Sequence, residues 1–309
     1  MQRQRNPPLI HVKMLNAIDL RAVKMVGFAV AAPTLPEKQE KIYMNRIQKR
    51  FDILKQKKEK ALVGFVSAGD PDMETSLQIV KAMCDAGLDV LELGIPFSDP
   101  TSDGPVIQRS SARALAKGAS LKKVLEMTGA VRSHTPDIPI ILFSYYNPIM
   151  AYGNTNFYRD AVAAGADGLL IVDLPPEESE EMTSQWAGKD LDLIRLVAPT
   201  TPKERMKQIA SGASGFLYLV SKVGVTGSAG LDTGDVGVHT KTLRSVTNLP
   251  ICVGFGISTA QQVAAVASVA DGVVIGSAFE KLIEENIGNP ELVSMMGQRV
   301  WEYKAATIC

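Results

Sequence analysis

The stretch Ala61-Leu62-Val63-Gly64-Phe65-Val66-Ser67-Ala68 is apolar almost throughout and ends on Gly69-Asp70-Pro71. A short run with so few polar positions predicts a strand covered on both faces, as in a parallel sheet flanked by helices. Gly69-Asp70-Pro71 supplies the turn, and beyond it Leu77, Val80, Cys84 and Leu88 trace a helical stripe. One strand is thus followed by one helix. Upstream, Asn45 is placed to cap a helix whose apolar positions are Ile47, Phe51 and Leu54. Its Arg46, Lys49, Arg50, Lys55, Lys57 and Lys58 make an outer face, read as solvated rather than as a nucleic-acid patch.

Downstream the unit recurs. Apolar runs at 89–95, 138–143, 168–172, 193–198, 215–220, 251–254 and 272–275 are each followed by turn residues and a helix-capable stretch. With the first run that makes eight strand–helix units. Eight is the count of a closed (β/α)8 TIM barrel in a single α/β domain, whereas an open doubly wound sheet normally uses fewer. The stripe Val263, Val266, Ala267 and Ala270 is then core packing of an outer helix.

Composition narrows the function. Lys plus Arg and Asp plus Glu both number 33, so no net field draws in nucleic acid or an anionic membrane. No apolar run approaches the length of a bilayer span. Cys84, Cys252 and Cys309 are far apart and never reach metal-ligand spacing, which fits a reducing, cytoplasmic setting and predicts no metal site. Residues 1–43 differ from the rest: before Pro33, Arg3, Arg5, Lys13, Arg21 and Lys24 face Asp19 alone, and no hydrophobic period is sustained. Three readings are open for this extension: an organelle transit peptide, which would make the location plastid, a short signal-like sequence, or a reading-frame extension upstream of Met44. The barrel is expected to occupy 44–309.

In this fold chemistry sits at the carboxyl ends of the strands. After the second strand the chain reads Leu91-Glu92-Leu93-Gly94-Ile95-Pro96-Phe97-Ser98-Asp99-Pro100-Thr101-Ser102-Asp103-Gly104-Pro105. If Leu91 and Leu93 face the helices, Glu92 faces the barrel interior. Burial raises the pKa of such a carboxyl and makes it a proton donor and acceptor near neutral pH. Asp103 is a second candidate carboxylate, with an alternative role as cap of the helix carrying Ile107. Near the end of the chain, Gly254-Phe255-Gly256-Ile257-Ser258 follows the seventh strand and Gly276-Ser277-Ala278 the eighth. Bare N–H groups at glycines and helix starts after these two strands predict a phosphate ester site. The loop Gly224-Val225-Thr226-Gly227 fits a mobile lid.

Taken with Tyr145-Tyr146-Asn147-Pro148, these stretches resemble the tryptophan synthase alpha-subunit family in order and spacing, from Met44 to about Lys304. The long motif around Glu92 is specific to that family, while glycine loops are shared with other phosphate-binding barrels. The resemblance implies retro-aldol cleavage of indole-3-glycerol phosphate to indole and glyceraldehyde 3-phosphate, with Glu92 as general acid/base and Asp103 as second carboxylate. It implies an indole pocket at Phe65, Ile107, Tyr145, Tyr218 and Phe255, a phosphate site at Gly227, Gly256, Gly276 and Ser277, and Thr226 as the lid residue. It also implies a surface at Pro96, Asp99 and Asn147 that meets a beta subunit in an α2β2 heterotetramer. The pyridoxal phosphate belongs to that partner, so no cofactor is expected in this chain. Thr101 and Ser102 stand where the family usually has Leu-Ala, and the lid lacks the Arg common after its glycine. A free-standing indole-3-glycerol phosphate lyase and a weakly active barrel that only activates a beta partner are the alternatives.

Overall fold

The computed structural model describes residues 45–221, 233–254 and 256–308. The expected extension 1–43, the glycine loop with Thr226 and Gly227, and Phe255 lie outside the described residues. Eight strands appear where the apolar runs place them: β1 Ala61–Ser67, β2 Val90–Gly94, β3 Ile140–Ser144, β4 Gly168–Ile171, β5 Asp192–Val197, β6 Leu217–Val220, β7 Ile251–Gly254 and β8 Gly272–Ile275. Each pairs in parallel with the next, and β8 closes on β1 with Ala61 opposite Gly272. That closure decides for the barrel over an open sheet.

Alternation along each strand sorts side chains between two cores. Leu91 and Leu93 pack outward against the helices, so Glu92 points inward, as the sequence predicts. The inner core gathers Val63, Val90, Ile141, Leu170, Ile194 and Cys252. It is stoppered at the amino-terminal end of the barrel by Ile47, Phe51 and Leu54 of the helix Arg46–Lys57. Asn45 caps this helix by accepting the Gln48 N–H at 2.9 Å. Its basic face is not wholly solvated: Arg46 reaches Asp167 at 2.8 Å and Arg50 reaches Asp89 at 3.9 Å.

One expectation shifts. The helix after β1, Met73–Asp85, buries Ser76, Ile79, Val80 and Met83, with Leu77 and Cys84 only at the margin. The buried face is thus turned by about one position from the expected stripe, and Leu88 lies beyond the helix, just before β2. His134 ends the helix Leu121–His134, where its Nε2 meets the Asp85 carboxylate at 2.8 Å. Cys252 lies in the inner core, and burial pushes the Cys84 thiol up to about 12, so neither is a ready nucleophile.

Candidate active site

At the carboxyl ends of the strands a cleft of about 670 Å³ opens over β1, β2, β6 and β8. Phe65, Glu92, Asp103, Ile107 and Tyr218 line one part of it, and Gly256, Gly276 and Ser277 another. Eight sequence-predicted residues therefore converge from distant parts of the chain. Phe65 stands opposite Glu92 in the β1–β2 register, which sets its ring beside the carboxyl.

Glu92 is 1% exposed, and neither carboxylate oxygen has a hydrogen-bond partner among the described residues. Burial alone pushes its pKa to about 8. A native protein rarely leaves both oxygens of a buried acid unpaired, and when it does in a cleft the group is a candidate for proton transfer. Asp103 is half-buried, and desolvation raises it to about 6 against an opposing pull from the Tyr145 hydroxyl. The capping role does not apply to Asp103: the helix Pro105–Ala116 starts at Gly104 with no side-chain cap.

Tyr145 does not line the main cleft. It closes a smaller adjoining cavity behind Asp103, where its hydroxyl accepts the Ser102 N–H at 3.0 Å. Ser102, one of the two positions that depart from the family's usual residues, thus ties the Asp103 loop to β3 through its backbone, which any side chain at that position provides. Tyr146 turns away and donates its N–H to Asp173 at 2.8 Å.

The cleft also takes in Phe143, Val106, Ile257 and Val274, which the motif reading passes over. Phe143 packs edge-on against Phe65 with ring centroids 5.0 Å apart. Two glycines make room for the flanking rings. A Cβ at Gly94 would lie 2.7 Å from the Phe65 ring, and one at Gly254 would lie 2.3 Å from the Tyr218 hydroxyl. Gly254, grouped in the sequence with the anion-binding glycines, is therefore needed to seat Tyr218.

The two helices expected to flank the anion site differ in how they begin. The helix after β7, Ala260–Ala267, caps itself through Thr259 and Gln262, and Gln262 Oε1 takes the N–H groups of Ser258 and Thr259 at 2.8 and 3.2 Å. The N–H groups just ahead of that helix are thus taken up by its own Gln262. The helix after β8, Ser277–Glu285, begins at Gly276 with no side-chain cap, leaving its first N–H groups to face the cleft. Gly256 adopts φ +74°, which bends the β7 loop toward the same place.

On the rim, Asp99 and Asn147 are exposed while Pro96 is buried beneath them. Their loops are joined by Phe97 and Tyr145, whose ring centroids are 5.5 Å apart. No helix among the described residues is long and apolar enough to cross a membrane.

A closed eight-stranded barrel whose carboxyl-terminal mouth holds a buried acid unpaired among the described residues is the architecture of a TIM-barrel enzyme. The sequence profile described as tryptophan synthase alpha chain matches residues 51–306. The tryptophan synthase alpha chain of Desulfatibacillum aliphaticivorans is 65% identical over 264 residues, spanning 85% of this chain and 99% of its own. That of Desulfosudis oleivorans is 64% identical over the same spans. The crystal structure of tryptophan synthase subunit alpha from Legionella pneumophila superposes with a TM-score of 0.78 at 39% identity, covering 85% of this chain and 98% of that one. Mycobacterium tuberculosis tryptophan synthase gives 0.79 at 30%, covering 86% and 99%. The chain belongs to the tryptophan synthase alpha chain family, the lyases of tryptophan biosynthesis that cleave indole-3-glycerol phosphate.

Proposed function

We propose that Glu92 carries the proton transfers of this cleavage and that Asp103 receives the indole N–H. Glu92 protonates ring carbon three of the indole. The bond to the side chain then breaks, its electron pair returns to the ring, and the adjacent hydroxyl becomes the carbonyl of glyceraldehyde 3-phosphate as its proton passes to Glu92. Protons and electrons balance without an added group, so the chain itself needs no cofactor or metal in this scheme. Asp103, as a carboxylate, stabilises the positive charge that develops on the ring. Phe65, Phe143, Ile107 and Tyr218 hold the indole, with Phe255 assigned beside them from the family resemblance. The phosphoryl end sits on Gly256, Gly276 and Ser277, and the same resemblance adds Gly227 to that site and gives Thr226 to the lid.

The observation that carries this reading is the Glu92 carboxyl, buried without a partner in the same cleft as an uncapped helix end. We further propose that the working body is the barrel, 44–309, acting in the cytoplasm with a beta subunit in an α2β2 assembly. The beta subunit would hold the pyridoxal phosphate and dock on the rim at Asp99 and Asn147, with Pro96 shaping the loop from beneath. The test is indole release by the purified chain, alone and with a beta subunit. Slow release that the partner strongly accelerates is expected. Fast release unaffected by the partner assigns a free-standing lyase, and no release under either condition rejects the catalytic reading.

A further inference from the structure

Outside the cleft, Glu280 is an acid with no solvent exposure in the middle of the helix Ser277–Glu285. Its backbone N–H donates to the Gly276 carbonyl at 3.1 Å, one turn from the uncapped helix end. Its side chain leaves the helix and accepts the backbone N–H of Ser67 at 2.5 Å. Ser67 lies on β1 two residues beyond Phe65, on the same face of the strand. The Ser67 and Ser110 hydroxyls are 2.7 Å apart, and Ser110 also donates to the carbonyl of Ile107 at 2.9 Å. One carboxyl group therefore joins the helix that presents Gly276 and Ser277, the strand that carries Phe65, and the helix that follows Asp103.

The second oxygen explains why an acid stands here. Glu280 Oε2 has no donor among the described residues, and the side chain lies within hydrogen-bonding reach of Asp70. Asp70 is fully buried and gripped on both oxygens by Arg113 at 2.8 and 2.7 Å. Arg113 also holds Glu284, on the same helix as Glu280, at 2.7 Å. With Arg113 fixing Asp70 as the charged partner, two buried neighbouring carboxyls can only be accommodated if the other is neutral. Burial and the Asp70 carboxylate both hold Glu280 well above the usual carboxylate range. A neutral Glu280 has a proton to offer Asp70 while its other oxygen accepts from Ser67.

We propose that Glu280 is a positioning residue for the cleavage reaction, fixing the Gly276–Ser277 helix end at the distance from Phe65 and Asp103 that the substrate spans. This rests on the phosphate site proposed above and goes beyond it by naming what holds that site in register. Glu280 touches no reacting atom, so its removal acts on binding of the phosphoryl end more than on the chemical step.

The test uses the full chain, glycerol 3-phosphate titrated by calorimetry, and steady-state cleavage. Glu280→Gln offers an acceptor to Ser67 and a donor to Asp70, and keeps Kd, KM and kcat within about twofold of wild type. Glu280→Leu has similar bulk and neither bond, and raises Kd and KM about tenfold, equivalent to ~1.4 kcal/mol, while kcat falls by less than about threefold. Should the leucine variant not fold, Glu280→Asp is one methylene too short to span to Ser67 and shows the same rise in KM. A wild-type KM in the leucine or aspartate variant overturns the proposal, as does a glutamine variant no better than leucine. A wild-type chain that binds no glycerol 3-phosphate rejects the phosphate site itself. One that binds it no better than Glu280→Leu rejects only the role of Glu280.

Discussion

Asp89 and Glu92 stand three residues apart around β2, roughly 10 Å along the chain direction, and their surroundings could hardly differ more. Asp89, at the foot of the barrel, accepts the Leu62 N–H at 2.8 Å and the Lys304 ammonium at 2.9 Å. The pattern repeats at that end. Asp167 accepts the Ile140 N–H at 2.9 Å and pairs with Arg132 at 2.6 Å and Arg46 at 2.8 Å. Asp271 accepts the Ile251 N–H at 2.9 Å and Arg244 at 2.6 Å. Each of these carboxylates closes off an N–H in the first two residues of the preceding strand and is matched by a cation. At the mouth, among the described residues, Glu92 has neither kind of donor, and Tyr145 is the side-chain partner of Asp103. The difference separates acids tied into the barrel's frame from the acids to which proton exchange and charge stabilisation are proposed.

The contrast predicts opposite mutational signatures. Glu92→Gln should reduce indole release by roughly 10²–10⁴-fold, the range for acid–base groups, while glycerol 3-phosphate still binds. Turnover near wild type removes Glu92 from the mechanism. Asp103→Asn should lower the rate by about 10²-fold, the scale for a lost electrostatic contact to developing charge. A rate within about threefold of wild type leaves Asp103 only a place in its loop. At the foot the order reverses. Asp167→Ala should leave kcat unchanged but cost about 3–5 kcal/mol in urea unfolding, because Arg132 and the Ile140 N–H lose their partner. An unchanged midpoint breaks the comparison.

The pH profile sharpens it further. The reaction needs Glu92 protonated and Asp103 ionised, so kcat/KM should rise through about 6 and fall through about 8. Asp103→Asn should make the acid limb shallower and spare the alkaline one. Stability carries its own sign. Because folding raises Glu92 above its ordinary 4.5, its contribution is fully present below that pH and is lost as pH climbs to about 8. Glu92→Gln should therefore gain on wild type across that window, by at most ~1.4 kcal/mol per pH unit. Equal unfolding curves at pH 5 and pH 8 would show that Glu92 finds a partner in solution.

Much of the barrel was legible because its signal is local. Eight short apolar runs separated by turn residues can be counted, and Leu91 and Leu93 on either side of Glu92 fix which way it points. The eight expected cleft residues lie within strands, in the loops after them or at the starts of the next helices, around the end of the barrel where this fold keeps its chemistry. Phe143 and Val274 escaped because they lie in strands without a motif, although alternation from Ile141 would have turned Phe143 inward. The self-capping of the helix after β7 was readable as Thr259 followed three residues later by Gln262, a capping-box pattern. The role of Glu280 was not readable. Its partners Ser67 and Asp70 are more than two hundred positions away, and an acid among Lys281, Glu284 and Glu285 looks like part of a solvated face.

Ile47, Phe51 and Leu54 fill the floor of the barrel, which makes the molecule a cup rather than a tube. On the proposed reading, reactant and both products use the mouth opposite that floor, so a departing indole obstructs the next arrival until it clears. Any body seated on the rim controls traffic in both directions at once, and nothing needs to pass through the barrel for that control to be complete.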